Sequence, residues 1–160
     1  MSTRGAVGIR FGGTDKIGYN HFDSYPCGLG REVLSYLKGK NLDGLKSEFE
    51  SIECSDDLDE DAWDWTNHCF SMKFDDYLGF MKSSLFNEWS YVINLDDGVL
   101  EVYRGFNKSP SAAGRYASLP SEKCCGGYFG VALVKSIPLN ELFLGQYVVN
   151  DDDEFVKAEE

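Results

Sequence analysis

The chain has little positive charge, few prolines and no long apolar run. Fifteen Lys and Arg stand against 27 Asp and Glu over 160 residues, for a net charge of −12. So acidic a surface repels phosphate backbones at long range, which argues against a nucleic-acid partner. It leaves room for a small anionic ligand held by a few local donors, and for an acidic protein that imitates a nucleic acid. No apolar stretch approaches the ~20 residues that cross a bilayer, so no membrane partner is expected. Met1 to Gly5 lacks the charged-then-apolar layout of a secretory signal, and the cytoplasm is the expected compartment. The five cysteines are odd in number and include no pair of CxxC spacings, which argues against a disulfide framework and a structural zinc. Cys27, Cys54, Cys69, Cys124 and Cys125 read instead as reduced thiols. Asp56, Asp57, Asp59 and Asp61 lack the ligand order, glycine and closing Glu of an EF-hand loop. Neither a metal nor a cofactor is expected.

What the chain does have is 42% apolar and 14% aromatic residues, enough for a packed core. Thr3 to Phe11 alternates as a strand, Gly12-Gly13-Thr14-Asp15 reads as a turn, and Lys16 to Ser24 as the returning strand. Pro26 then breaks the pattern, and Leu29, Val33, Tyr36 and Leu37 follow at helical spacing up to Gly39. A second helix is predicted over Leu42 to Ile52, and a short one over Asp75 to Met81. Glu48 to Asp64 holds nine acidic residues and no Lys or Arg, a solvated run that Trp63 and Trp65 bring back to the core. Trp89–Leu95 and Val99–Phe106 form a hairpin around Asp96-Asp97-Gly98, Asn107–Gly127 reads as a long loop, and Tyr128–Ile137 as a last strand. The expected fold is α+β: an antiparallel sheet of about five strands with helices packed on one face. It spans one domain, residues 1–150, and an acidic flexible tail follows at 151–160.

Polar chemistry concentrates in Tyr19-Asn20-His21-Phe22-Asp23-Ser24-Tyr25-Pro26. Two residues apart on a strand, His21 and Asp23 share a face with each other and with Tyr19. A carboxylate beside an imidazole sets its tautomer, the arrangement of a general acid or base or of a held cation. Gly28 and Gly30 open the helix with backbone donors suited to an anion, and Arg4 or Arg10 could add a bidentate contact. The bland alternative is a polar knot that locks the hairpin to the helix. A second cluster, Tyr103, Arg104, Phe106 and Lys108 with Arg115 and Tyr116, interleaves cations with aromatics that could stack on a base and hold a phosphate. The other two chemistries carry less. Ser2, exposed by loss of Met1, would be laid out as an N-terminal nucleophile. His21 and His68 are the only histidines, but nothing in the sequence brings them together.

Thr3-Arg4-Gly5, then Tyr19-x-His21-Phe22-Asp23-x-Tyr25-Pro26, then Gly28-x-Gly30 resembles the start of a family of small phage and prophage proteins. Those begin S-T-R and carry H-W-D-G-Y-P at this place. Here Phe22 stands for the Trp and Ser24 for the Gly, and weaker similarity recurs around Leu100 to Tyr116. The resemblance implies a viral or mobile-element setting and a small protein of the host cytoplasm. It implies no activity and no catalytic residue.

The leading expectation is a binder of a small anionic, nucleotide-derived ligand that sequesters a host immune signal. Its ligand residues are Arg4, Tyr19, His21, Asp23, Tyr25, Gly28, Gly30, Arg104, Lys108 and Arg115. The alternatives are an enzyme cleaving such a ligand with His21 and Asp23 as candidate catalytic groups, and an acidic interaction protein. A homo-oligomer is compatible with each.

Overall fold

Two adjacent glycines start the fold. Gly12 and Gly13 take φ of 61° and 77°, the pair of positive values that a tight hairpin turn needs. They join β1 (Gly5–Phe11) to β2 (Thr14–Asn20), paired antiparallel from Gly5↔Asn20 to Phe11↔Thr14. Both glycine amides donate to the Asp96 carboxylate, at 2.8 Å each. The computed structural model that shows this describes residues 3–55, 61–82, 84–108, 113–116 and 128–159. Ser2, Asp56, Asp57, Asp59, Cys124, Cys125 and most of the expected loop at 107–127 lie outside them.

After β2 come a π-helical turn (Pro26–Gly30), α1 (Arg31–Leu37) and α2 (Leu42–Ser51). Asn41 caps α2, its side chain accepting from the Gly44 amide at 2.8 Å. Four short strands follow, β3 (Glu53–Ser55), β4 (Trp63–Asp64), β5 (Cys69–Phe70) and β6 (Lys73–Asp75). The short helix expected at 75–81 is a 3₁₀ turn at Leu78–Lys82. Then come β7 (Trp89–Asn94), β8 (Val99–Arg104), β9 (Ala132–Pro138), α3 (Leu139–Phe143), β10 (Tyr147–Val149) and β11 (Phe155–Lys157).

The fold is α+β around a five-stranded sheet of order β2-β1-β7-β8-β9. It is mostly antiparallel. The exception is β1 beside β7, which run parallel because the helical crossover after β2 returns the chain to the end where β1 began. One face carries Val7, Ile9, Tyr91, Ile93, Leu100, Val102 and Ile137. It packs on Leu29, Val33, Leu37, Leu45, Phe49 and Leu142, so α1, α2 and α3 all share this core. On the other face Ala6, Ile17, Val92 and Tyr103 meet Met81, Tyr116 and Val131.

The strand expected over Tyr128–Ile137 starts at Ala132, and two further boundary differences bear on the site. β2 stops at Asn20, not Ser24. The buried Asn20 amide donates to Phe22 O at 2.7 Å and Ser24 Oγ at 2.8 Å, and its carbonyl accepts from Trp65 Nε1 at 3.0 Å. Those bonds turn the chain out of the ladder, and Asp23 takes a φ of 56°. The tail expected to be flexible at 151–160 contains the turn and second strand of a hairpin. Asn150 Oδ1 accepts from the amides of Asp152 and Glu154, β11 pairs with β10, and Phe155 is 5% exposed against Tyr91. The acidic run is a turn that Asn150 closes and that Asp153 fastens to the Cys27 amide, with Asp151, Asp152 and Glu154 exposed.

Phe155→Ala should therefore lower unfolding free energy by about 3–5 kcal/mol, the usual range for a deleted core phenylalanine. A urea midpoint equal to that of the parent would show the hairpin to be detached. Acid should loosen the clamp between the turns. Hydrogen bonds from Gly13 and Gly12 hold the Asp96 carboxyl below its usual range. The stabilisation is thus present above the ordinary carboxylate pKa and is lost as pH falls through the lowered one. The gap in urea midpoint between the parent and Asp96→Asn should stay constant from pH 7 down to about pH 5 and then narrow toward pH 2.

Candidate functional site

The polar face expected on β2 divides into two separate pairs. Tyr19 Oη lies 2.9 Å from His21 Nδ1, and Tyr25 Oη donates to Asp23 Oδ1 at 3.0 Å. Because β2 ends at Asn20, His21 and Asp23 do not share a strand face. Near His21, partial burial raises the pKa of Asp61 and the His21 ring opposes that rise. The Tyr19 phenol is raised by burial, with Arg4 pulling it down and Asp61 adding to the rise.

The glycine-flanked helix start is likewise occupied. Cys27 N donates to Asp153 Oδ1 at 2.8 Å, so the anion expected there is the chain's own. Leu29 N bonds to Asp23 O at 2.7 Å and Gly28 N to Tyr25 O at 2.9 Å. A Cβ at Gly28 would stand 2.2 Å from Asp23 O, and one at Gly30 would stand 2.9 Å from the Phe155 ring. These glycines let backbone and core approach.

Arg115 is committed as well. Its Nη2 lies 2.6 Å from Glu101 Oε1, its Nε 3.1 Å from Glu101 Oε2, and its Nη1 3.2 Å from Asp15 Oδ2. Tyr116 Oη donates to the other Asp15 oxygen at 3.2 Å, and Arg10 bonds to Asp15 at 2.7 Å. The whole knot lies on the sheet face away from the helices. His68 is at the β4–β5 turn with Nδ1 2.7 Å from Glu32 Oε1, a pairing with α1 that ties up its inner nitrogen. Among the described residues no group of three His, Cys, Asp or Glu could hold a metal.

Arg104 is differently placed. It stands opposite Trp89 in the β7–β8 register, with its guanidinium 4.6 Å above the indole and 6.0 Å from the Phe106 ring. Trp89 in turn lines a groove of about 410 Å³ on the helix side of the sheet. The rest of the lining comes from Val102, Val134 and Lys135 on one side and Asp153 to Val156 on the other. A bulge shapes it. Tyr103 pairs with Leu133 and Val102 with Lys135, which leaves Val134 as an extra residue between them. Neighbours in sequence normally face opposite ways, but the bulge turns both Val134 and Lys135 to the groove.

Charge in the groove is unevenly committed. Asp153 is bonded to Cys27 N, and Glu154 accepts from Asn150 Nδ2 at 3.3 Å. Arg104 and Lys135 make no ion pair with any described carboxylate. Lys108 lies 5.1 Å above the Tyr128 ring, which meets the half-exposed Phe106 at 6.4 Å. Arg4 sits at the same end of the sheet but on the opposite face, 5.4 Å above the Phe86 ring.

Of the expected ligand residues, the structure thus groups Arg104 with Lys108. Arg4, the Tyr19–His21 pair and the Asp23–Tyr25 pair are elsewhere, and Gly28, Gly30 and Arg115 serve the fold. Trp89, Val134, Lys135 and Phe155 are groove residues that the sequence reading missed. One signal was present: Leu133-Val134-Lys135 sets two apolar residues side by side where alternation would allow one. No protein family, curated protein or solved structure matches the chain.

Asp153→Ala leaves the Cys27 amide without its acceptor and should cost about 1–2 kcal/mol of stability, the usual worth of a charge-assisted cap. Asp152→Ala, a residue away and exposed, should be neutral within experimental error. Equal urea midpoints for the two variants would show that the Asp153 bond contributes nothing.

Proposed function

We propose that the chain binds a small organic anion with a planar part, of the nucleotide class, in the groove between β8–β9 and β11. The observation that carries this reading is the pair of cations without carboxylate partners, Arg104 and Lys135, beside an apolar floor of Trp89 and Val102. A volume of about 410 Å³ falls in the range of small-molecule sites and suits one nucleotide. An indole offers a base a stacking surface, and a guanidinium offers a phosphate two parallel donors. The groove's two carboxylates are already bonded by the chain's own N–H groups, which favours holding a ligand over transforming it. The resemblance to phage proteins supplies the setting. There, capture of a nucleotide signal would blunt a host response.

Thermal-shift screening of mononucleotides, cyclic nucleotides and ADP-ribose-type compounds tests the reading. A ligand at 100 times its Kd should add about 2.7 kcal/mol of stability and be recovered intact by chromatography. Arg104→Ala and Lys135→Ala should each weaken binding about tenfold, from the loss of roughly 1.5 kcal/mol per charged hydrogen bond. If no such compound raises Tm, or if both variants bind as tightly as the parent, the reading is wrong.

A further inference from the structure

At the opposite edge of the sheet from the groove, aromatic rings form an unbroken row. Trp65 stacks on Phe22 with centroids 6.2 Å apart and planes 29° apart. Phe22 meets His21 at 5.9 Å, His21 meets Tyr19 at 5.9 Å, and Tyr19 meets Tyr77 at 5.6 Å. The row exists because Asn20 turns the chain at the end of β2, which lifts His21 and Phe22 out of the ladder and onto the surface. Phe22 belongs to neither core and is 45% exposed. A large aromatic left half in water at the centre of a contiguous ring surface marks a place where something else lies.

The charge around the row says what. The exposed Asp61 carboxylate interacts electrostatically with both His21 and Tyr19, and the exposed Asp23, next to Phe22 in sequence, accepts from Tyr25 Oη at 3.0 Å. The opposing cation near Tyr19 is Arg4, which already lies over the Phe86 ring. Exposed rings with carboxylates nearby suit a guanidinium, which stacks on aromatic faces and pairs with carboxylates. An ammonium gains only the point-charge part of that attraction.

We propose that the Trp65–Phe22–His21–Tyr19 row is a docking surface for an arginine-bearing segment of a protein partner. It is independent of the groove, which lies on β8 and β9 at the other edge of the sheet and takes a ligand of opposite charge. A titration of the full chain with hexa-arginine and hexa-lysine peptides, followed by amide and indole NMR shifts, tests it. Hexa-arginine should bind at least fivefold more tightly than hexa-lysine and should shift Trp65 Nε1–H and the amides of residues 19–23. Phe22→Ala should remove most of that preference and Phe22→Tyr should keep it. The rest of the spectrum of each variant, unchanged, shows that the fold is intact. Equal affinity for the two peptides, an unchanged preference in Phe22→Ala, or no binding at low salt would each overturn the proposal. The first two would leave only long-range attraction to a chain of net charge −12.

Discussion

The bond from Cys27 N to the Asp153 carboxylate joins residues 126 positions apart in sequence, and most of what is distinctive in the structure depends on it. It fastens the last hairpin to the start of the helical layer. It places Phe155 where the ring can close over Gly30 and Tyr91. It also sets one wall of the groove, since Asp153 to Val156 follow directly from the held carboxylate. The backbone amides at a helix start attract an anion because no carbonyl of the helix itself is available to them. Here the protein meets that demand internally, which makes the N-terminal glycine motif part of the architecture.

That substitution explains how much of the molecule could be read from its residues. The β1–β2 hairpin, both helices after it, the β7–β8 hairpin and the α+β class follow from local periodicity and turn chemistry, which are short-range rules. The misreadings come from side-chain bonds, which periodicity does not register. Asn20 ends β2 through side-chain bonds to Phe22, Ser24 and Trp65, the last of them 45 residues away. The tail is ordered by a partner in the first thirty residues. Arg115 reads as a free cation beside an aromatic, but Glu101 and Asp15 close around it from two strands. In the last two cases a polar group looked available because its partner was distant in sequence. Of the groove, Arg104 was legible as a cation among aromatics, whereas Lys135 was not, because its direction depends on a register shift between β8 and β9.

Sorting the cations by what they hold recasts the net charge. Arg10, Lys40, Arg115 and Lys157 are in ion pairs, Lys16 bonds the carbonyls of Phe49 and Ile52, and Arg31 bonds that of Val149. In an acidic protein the position of the remaining positive charge carries information. Arg104, Lys108 and Lys135 lie toward the β8–β9 side, each beside an aromatic ring or an apolar wall. On the β2 side the exposed rings have carboxylates for neighbours instead. The sheet therefore separates two surfaces of opposite preference, and the long-range repulsion of anions by the whole chain is screened within about 10 Å at moderate salt.

The bulge decides which of these surfaces can enclose a ligand. A regular β9 would point Val134 away from Lys135 and leave the helix face with one lining residue where it now has two. By setting them together, the bulge gives a strand at the edge of the sheet both an apolar wall and a charge directed the same way. The groove also needs a roof, and in this chain the roof is the acidic hairpin that a reading of composition assigns to solvent. A site made from an edge strand and a terminal hairpin is held by few covalent neighbours. Its geometry therefore rests on the Asp153 bond and the buried Phe155 ring, so the residues that stabilise the fold at this point also shape the groove.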